Sequence, residues 1–225
     1  MRTSSDIKFL KSRFSPPRSH DCITPAERAA VLDLFYSGDV VQKVTGPRTV
    51  KVYPQQIPTI MEKIRKLHPK IEVRNAHVFD VDKPHVLHID DDETTPNNIF
   101  KAFTIPLTSD PLTEGPKLVF FKQHYFGGPV KFFKGRKDAP VHYNKPLSDY
   151  SEVHGLTEGL GPYLDPDLTH IKKPWLEGLS IDRKLDWTFG HMLEFDALQI
   201  HSASDFRNFG IKRKTGLSIF TTLNP

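Results

Sequence analysis

The chain of 225 residues holds one cysteine, Cys22, so no disulfide can form within it and a reducing compartment suits it. It has no apolar run approaching the roughly 18–20 residues that a bilayer-spanning helix needs. The opening Met1-Arg2-Thr3-Ser4-Ser5-Asp6 lacks the apolar stretch of a secretory signal. These absences point to a cytoplasmic protein with no membrane span. Zinc-finger, basic-zipper and RNA-recognition signatures are missing too. The formal net charge is only +4, with the excess at Lys8, Lys11, Arg13 and Arg18 and again from Arg207 to Lys214. Such segments are ordinarily solvated surface, and nucleic acid is not expected as a partner. There is no internal repeat or low-complexity tract. Oligomeric state is not legible.

What is present fits one soluble domain. Hydrophobic residues make up 37% and charged residues 26% of a chain long enough to enclose a sizeable core. Residues 1–70 read as an N-terminal extension with supporting helices. The first twenty or so look loosely organised. Thr24-Pro25-Ala26-Glu27 then forms a capping box with proline at the first helical position, starting a helix that stops near Gly38. A second helix fits Pro58 to Leu67, with Ile60, Met61, Ile64 and Leu67 on one face.

Residues 71–225 change period and read as the core. Val73 to Val81 suggests a strand, and His85-Val86-Leu87-His88-Ile89-Asp90 alternates as another. Phe103, Ile105 and Leu107 alternate, Leu118 to Phe126 is an apolar aromatic run, and Leu185 to Phe189 and Leu193 to His201 resume the pattern. Thr215 to Leu223 makes the last strand. Between them, about 131–180, lies a Pro-, Gly-, Asp- and Lys-rich stretch with little periodicity, read as a lid or insertion near a site entrance. The fold expected is mainly β with supporting helices, organised as a β-sandwich or jelly roll.

The chemistry concentrates at His88-Ile89-Asp90. Two side chains one residue apart on a strand share a face, so His88 and Asp90 can hold one ion together. His201, from another strand, would complete a facial triad of two histidines and one carboxylate. That set leaves coordination positions open and suits non-haem Fe(II) oxygenases. The basic run Lys212-Arg213-Lys214 follows, where a dicarboxylate co-substrate could be gripped. Strand alternation puts Arg213, Thr215, Leu217 and Ile219 on one face. Arg213 would then be the principal anchor, Thr215 a supporting hydroxyl, and Lys212 and Lys214 would point to solvent. The acidic Asp91, Asp92 and Glu93 leave an all-oxygen Ca²⁺ or Mg²⁺ site as an alternative. His85, on the opposite face from His88 in a regular strand, and His124, His142, His154 and His191 read as packing or surface histidines. Asp196 reads as a turn acceptor.

The ordered series of His88-Ile89-Asp90, Gly190 to Asp196 leading to His201, and Arg213 with Thr215 resembles the Fe(II)/2-oxoglutarate-dependent dioxygenases. The likeness covers roughly residues 73 to 223. It implies a double-stranded β-helix, the jelly-roll or cupin-like core. It implies His88, Asp90 and His201 as the catalytic iron ligands, and a basic residue after His201, among Lys212, Arg213 and Lys214, binding the distal carboxylate of 2-oxoglutarate. The implied activity consumes molecular oxygen and 2-oxoglutarate, releases succinate and CO2, and hydroxylates a C–H bond of an unidentified small molecule or peptidyl side chain. Two other readings stay open: a non-catalytic jelly-roll binding protein, and a metal-dependent cupin enzyme that does not use 2-oxoglutarate.

Overall fold

The computed structural model describes residues 4–38, 48–90, 99–113, 115–126, 130–131, 145–146 and 153–223. The chain opens with helix α1 (Ser4–Lys11) and strand β1 (Arg18–Asp21), so a segment expected to be loosely organised is built into the structure. Helix α2 (Pro25–Ser37) begins as its capping box dictates: Thr24 Oγ1 accepts from the Glu27 amide at 3.2 Å while the Thr24 amide donates to Glu27 Oε2 at 2.8 Å. It ends at Gly38, whose amide donates to the Leu34 carbonyl. After β2 (Arg48–Lys51), helix α3 (Pro58–Leu67) buries Ile60, Met61 and Ile64, whereas Leu67 in its last turn is exposed.

Ten further strands follow among the described residues: β3 (Ile71–Val81), β4 (Ile99–Asp110), β5 (Lys117–Tyr125), β6 (Val130–Lys131), β7 (Lys145–Pro146), β8 (Val153–His154), β9 (Ile181–Asp186), β10 (His191–Asp196), β11 (Gln199–Ala203) and β12 (Arg213–Leu223). A six-stranded antiparallel sheet runs β1-β10-β4-β12-β3-β2. It thus draws two of its strands from residues before 71. The smaller sheet is built on β5, which pairs with β11, β8 and β9. Strands far apart in sequence alternate across the larger sheet, the pairing of a jelly roll.

Two apolar layers result. Between the sheets lie Ala102, Phe120, Phe121, Trp187, Leu193, Phe195 and their neighbours. On the outer face of the larger sheet, Val78, Phe103, Ile105, Leu217 and Ile219 meet Val31, Phe35, Ile60, Met61 and Ile64 of the helices. Each fully buried aliphatic or aromatic side chain contributes about 1.5–3 kcal/mol.

This double-sided burial corrects the expected phase of β12. Leu217 and Ile219 face the helices, so Arg213 and Thr215 turn outward with them, and Lys214, Gly216 and Phe220 face the barrel interior. The strand is packed on both faces, and alternation alone does not say which one is the inside.

The expected strand 85–90 is also corrected. It is an extended passage with a single antiparallel bridge, His88 to His201, and no longer ladder. Within the stretch read as a lid, residues 132–144 and 147–152 lie outside the described residues. The part from 153 onward packs tightly, with Leu168, Ile171, Trp175, Leu176 and Leu179 buried against the inner core.

Candidate metal centre

His88, Asp90 and His201 converge at the barrel interior, with one ligand atom from each lying within 4.8 Å of the other two. His88 Nε2 is 3.5 Å from Asp90 Oδ1, and His201 Nε2 is 3.5 Å from Asp90 Oδ2. Backbone bonds fix the frame. The His88 amide donates to the His201 carbonyl and the His201 amide to the His88 carbonyl, both at 3.0 Å, and the Asp90 amide donates to the Ala197 carbonyl at 2.8 Å. Short-range spacing supplies the first two side chains; the bridge to β11 supplies the third.

The protonation state suits a cation. His88 Nδ1 lies 2.8 Å from the Val86 carbonyl and His201 Nδ1 lies 2.8 Å from the Gln199 carbonyl. A carbonyl only accepts, so each Nδ1 carries a proton and each Nε2 is the ring atom turned to the shared space. Burial, followed by the neighbouring His201 and His85, pushes the His88 pKa well below its ordinary value, keeping the ring neutral. Asp90 is held below the usual carboxylate range: burial opposes this, but His201 and His88 outweigh it. Phe120 and Phe195 wall His201, at ring-centroid distances of 5.8 and 4.8 Å. Two imidazoles and a carboxylate, with no fourth ligand atom grouped with them among the described residues, fit an ion such as Fe(II) that keeps positions for other ligands. The alternative acidic cluster at 91–93 lies outside the described residues.

The structure places the expected dicarboxylate anchors elsewhere. Arg213 is 47% exposed and its Nη2 pairs with Asp80 Oδ2 at 2.8 Å. Thr215 Oγ1 donates to the same carboxylate at 3.4 Å, and Lys212 is exposed, its amide donating to the Asp110 carbonyl. The expectation that Arg213 and Thr215 face the metal, with Lys214 in solvent, is therefore reversed. Lys214 is 3% exposed, and its Nζ has no hydrogen-bond partner among the described residues. Nζ sits 3.8 Å above the Trp187 ring and 5.5 Å from that of Phe206, and burial pushes its pKa down to about 7.

Several further residues, among them His85 (read from the sequence as packing), lie between this cation and the triad. His170 lies within electrostatic reach of Lys214 and places Nε2 3.2 Å from the His85 carbonyl. Ser202, beside His201, donates to the same carbonyl at 2.9 Å. His85 Nδ1 is 3.2 Å from His88 Nε2, so His85 is at the centre and not on the opposite face. The departure from a regular strand at 85–90 explains the difference. On the other side of Asp90, His77 stacks on Phe220 and is kept neutral by burial, its pKa pushed down to about 4. These positions carry no short motif; their convergence is a product of the tertiary fold.

No protein-family model matches the chain, and no curated protein matches it in sequence. Solved structures do match in shape. EctD from S. alaskensis with 2-oxoglutarate and 5-hydroxyectoine superposes with a TM-score of 0.51 at 12% identity, over 98% of this chain and 76% of that one. The non-haem alpha-ketoglutarate-dependent carbocyclase SnoK from nogalamycin biosynthesis gives 0.50 at 14% identity, over 98% and 84%. HygX from Streptomyces hygroscopicus with nickel, 2-oxoglutarate and hygromycin B bound gives 0.50 at 10% identity, over 99% and 88%. With its mainly antiparallel sheets and its gathered His88, Asp90 and His201, the chain has the jelly-roll fold of the Fe(II)- and 2-oxoglutarate-dependent oxygenases.

Proposed function

We propose that the chain is an Fe(II)- and 2-oxoglutarate-dependent oxygenase acting on an organic substrate, with hydroxylation of a C–H bond as its outcome. The observation that carries the reading is the pairing of two features in one interior: the gathered His88–Asp90–His201 donor set and the buried ammonium of Lys214, which has no hydrogen-bond partner among the described residues. A cation taken out of water with no counter-charge is costly, and a ligand carboxylate would repay that cost. A cupin enzyme that takes no 2-oxo acid gives no reason for Lys214 to be inside.

In this reading His88 Nε2, His201 Nε2 and an Asp90 carboxylate oxygen hold Fe(II), and Lys214 replaces Arg213 as the anchor for the distal carboxylate of 2-oxoglutarate. The bound iron supplies activation of molecular oxygen coupled to decarboxylation of the 2-oxo acid to succinate and CO2. The protein's part is positional. The carbonyls of Val86 and Gln199 hold each ligand imidazole in one tautomer. Phe120 and Phe195 exclude water from one side of His201. Lys214 orients the co-substrate by its far end, leaving the oxo-acid end for the metal.

Hydroxylation is the finer part of the proposal, since folds of this kind also serve a carbocyclase. Anaerobic loading with Fe(II), followed by admission of oxygen with and without 2-oxoglutarate, tests the class through succinate formation. The same assay with candidate substrates, read by mass spectrometry for gain of one oxygen, tests the outcome. Metal binding without any 2-oxoglutarate binding would favour the cupin alternative. Binding of both without succinate, across substrates, would favour the non-catalytic one.

A further inference from the structure

We propose that Trp187 is the residue that sets the length of 2-oxo acid the pocket accepts, by fixing the height at which the Lys214 ammonium stands above the β12 backbone. This rests on the reading of Lys214 as the distal-carboxylate anchor and goes beyond it by assigning the specificity to a different side chain. Trp187 follows β9, where its amide donates to the Pro116 carbonyl at 2.8 Å, and its indole enters the barrel interior with 1% exposure.

The indole rests on β12 at Gly216. A Cβ there would lie 2.7 Å from Trp187 Cη2 and 2.8 Å from Phe79 Cζ, so the ring already occupies the space a side chain would take. The same ring carries Lys214, with Nζ 3.8 Å from the ring centroid. The indole therefore touches both the β12 backbone and the ammonium. The indole has no room to sink, and the cation–π attraction keeps the ammonium resting on it. The anchor point for a distal carboxylate is thereby fixed relative to the His88–Asp90–His201 group, and that separation selects chain length.

A second observation marks this spot as a ligand pocket rather than ordinary core. The Lys214 Nζ and Trp187 Nε1 atoms are both buried without a hydrogen-bond partner among the described residues, and His170 Nδ1 nearby is in the same condition. Buried polar atoms are normally paired, and three lapses in one neighbourhood mark a place that an acceptor-rich group would fill. A small dicarboxylate supplies such acceptors. The indole N–H is then a second donor to that carboxylate, beside the ammonium.

The two contacts of the indole give substitutions of opposite sign. Trp187→Phe removes ring bulk, lets the ammonium settle, and lengthens the pocket. Gly216→Ala pushes the indole up and shortens it. The test uses the full chain loaded with Ni(II), which suits the same donor set without turning over. Oxaloacetate, 2-oxoglutarate and 2-oxoadipate, of four, five and six carbons, are titrated by calorimetry. A second readout is Trp187 emission in a Trp175→Phe background, where it is the remaining tryptophan of the two.

The unmodified protein should prefer 2-oxoglutarate, and its binding should change Trp187 emission. Trp187→Phe should move the 2-oxoadipate to 2-oxoglutarate affinity ratio about tenfold toward the longer acid, the low end of what one methylene discriminates. Gly216→Ala should move preference toward oxaloacetate. Unchanged ratios in both variants, or shifts in the same direction, would overturn the proposal. If either variant fails to unfold cooperatively, a silent Trp187 emission on 2-oxoglutarate binding to the Trp175→Phe protein overturns it alone. Failure of every 2-oxo acid to bind the unmodified protein would instead remove the oxygenase reading, and the ruler with it.

Discussion

His88 and His201 are held by matching devices: each exchanges a backbone hydrogen bond with the other, and each orients its imidazole by giving Nδ1–H to the carbonyl two residues earlier, Val86 in one case and Gln199 in the other. The bridge brings the two backbones together, and the paired carbonyls turn both Nε2 atoms inward. Asp90, 3.5 Å from each Nε2, sits between them.

Metal affinity should depend on all three side chains. His88→Ala, Asp90→Ala and His201→Ala are each expected to weaken Fe(II) or Ni(II) binding by more than about 100-fold, beyond the loss typical of residues that only support a ligand. Circular dichroism should be preserved, because the bridge is made by backbone atoms. Metal content after equilibrium dialysis checks this; retention of metal by the His201 variant would remove it from the ligand set.

Co-substrate affinity should depend on Lys214 and on pH. Lys214→Ala is expected to raise the 2-oxoglutarate Kd by at least about tenfold, as loss of a charge-assisted bond does. Arg213→Ala should have little effect, since Arg213 is committed to Asp80. Burial puts the Lys214 pKa at about 7, below its ordinary 10.5, so the native state releases a proton that the unfolded chain keeps. The empty protein therefore gains stability from this group as pH rises from about 7 to 10.5. A bound carboxylate needs the ammonium, so affinity should fall as pH rises above about 7. Calorimetric titration across that range, against Lys214→Arg as a permanently charged reference, reads the effect. A flat profile in the unmodified protein would contradict it.

The acid limb of stability should carry the signature of Glu194. This carboxylate on β10 accepts from His20 Nε2 at 2.8 Å and from His68 Nε2 at 3.0 Å. Burial raises its pKa, but the two imidazoles outweigh that and bring it down from 4.5 to about 2. A depressed native pKa adds stability that is fully present above the unfolded value and lost as pH falls through the native one. Glu194→Gln should thus lower Tm near neutral pH and flatten the fall in Tm between about 4.5 and 2. Thermal melts of the two proteins over that interval make the comparison.

The N-terminal segment should be released by breaking one buried pair. Lys101, 1% exposed, is ion-paired with Asp196 and donates to Ser15 Oγ at 2.7 Å, while the Ser15 amide donates to Asp196 Oδ2 at 3.1 Å. Phe14 stacks on His124 at 4.1 Å beside the same carboxylate. Asp196→Ala leaves a buried ammonium unpaired, which typically costs about 3–5 kcal/mol. Urea unfolding should show that loss, and limited proteolysis should cut near residues 13–17 faster than in the unmodified protein. An unchanged cleavage rate would show that the pair does not hold the segment.

The local elements and the chemistry of the donor set are legible in the sequence. The capping box at Thr24 and the glycine at Gly38 bounded α2 because those signals act within a few residues. The period of β3, β4, β5 and β12 marked strands, and the spacing of His88 and Asp90 put two ligands within reach of one ion. Only the tertiary structure decided the rest. It paired β1 and β2, short strands with weak alternation, into the larger sheet, and it joined His201 to His88 across 113 residues through one bridge. It also chose which face of β12 looks inward. Both faces are packed, so the pattern of Leu217 and Ile219 is the same whether it lines the barrel or meets α2 and α3. Packing the helices against that face reversed the placements of Arg213 and Lys214, sending the arginine to Asp80 at the surface and the lysine onto Trp187 inside. A one-residue phase is invisible to a period of two, and here it separates a surface ion pair from a buried cation.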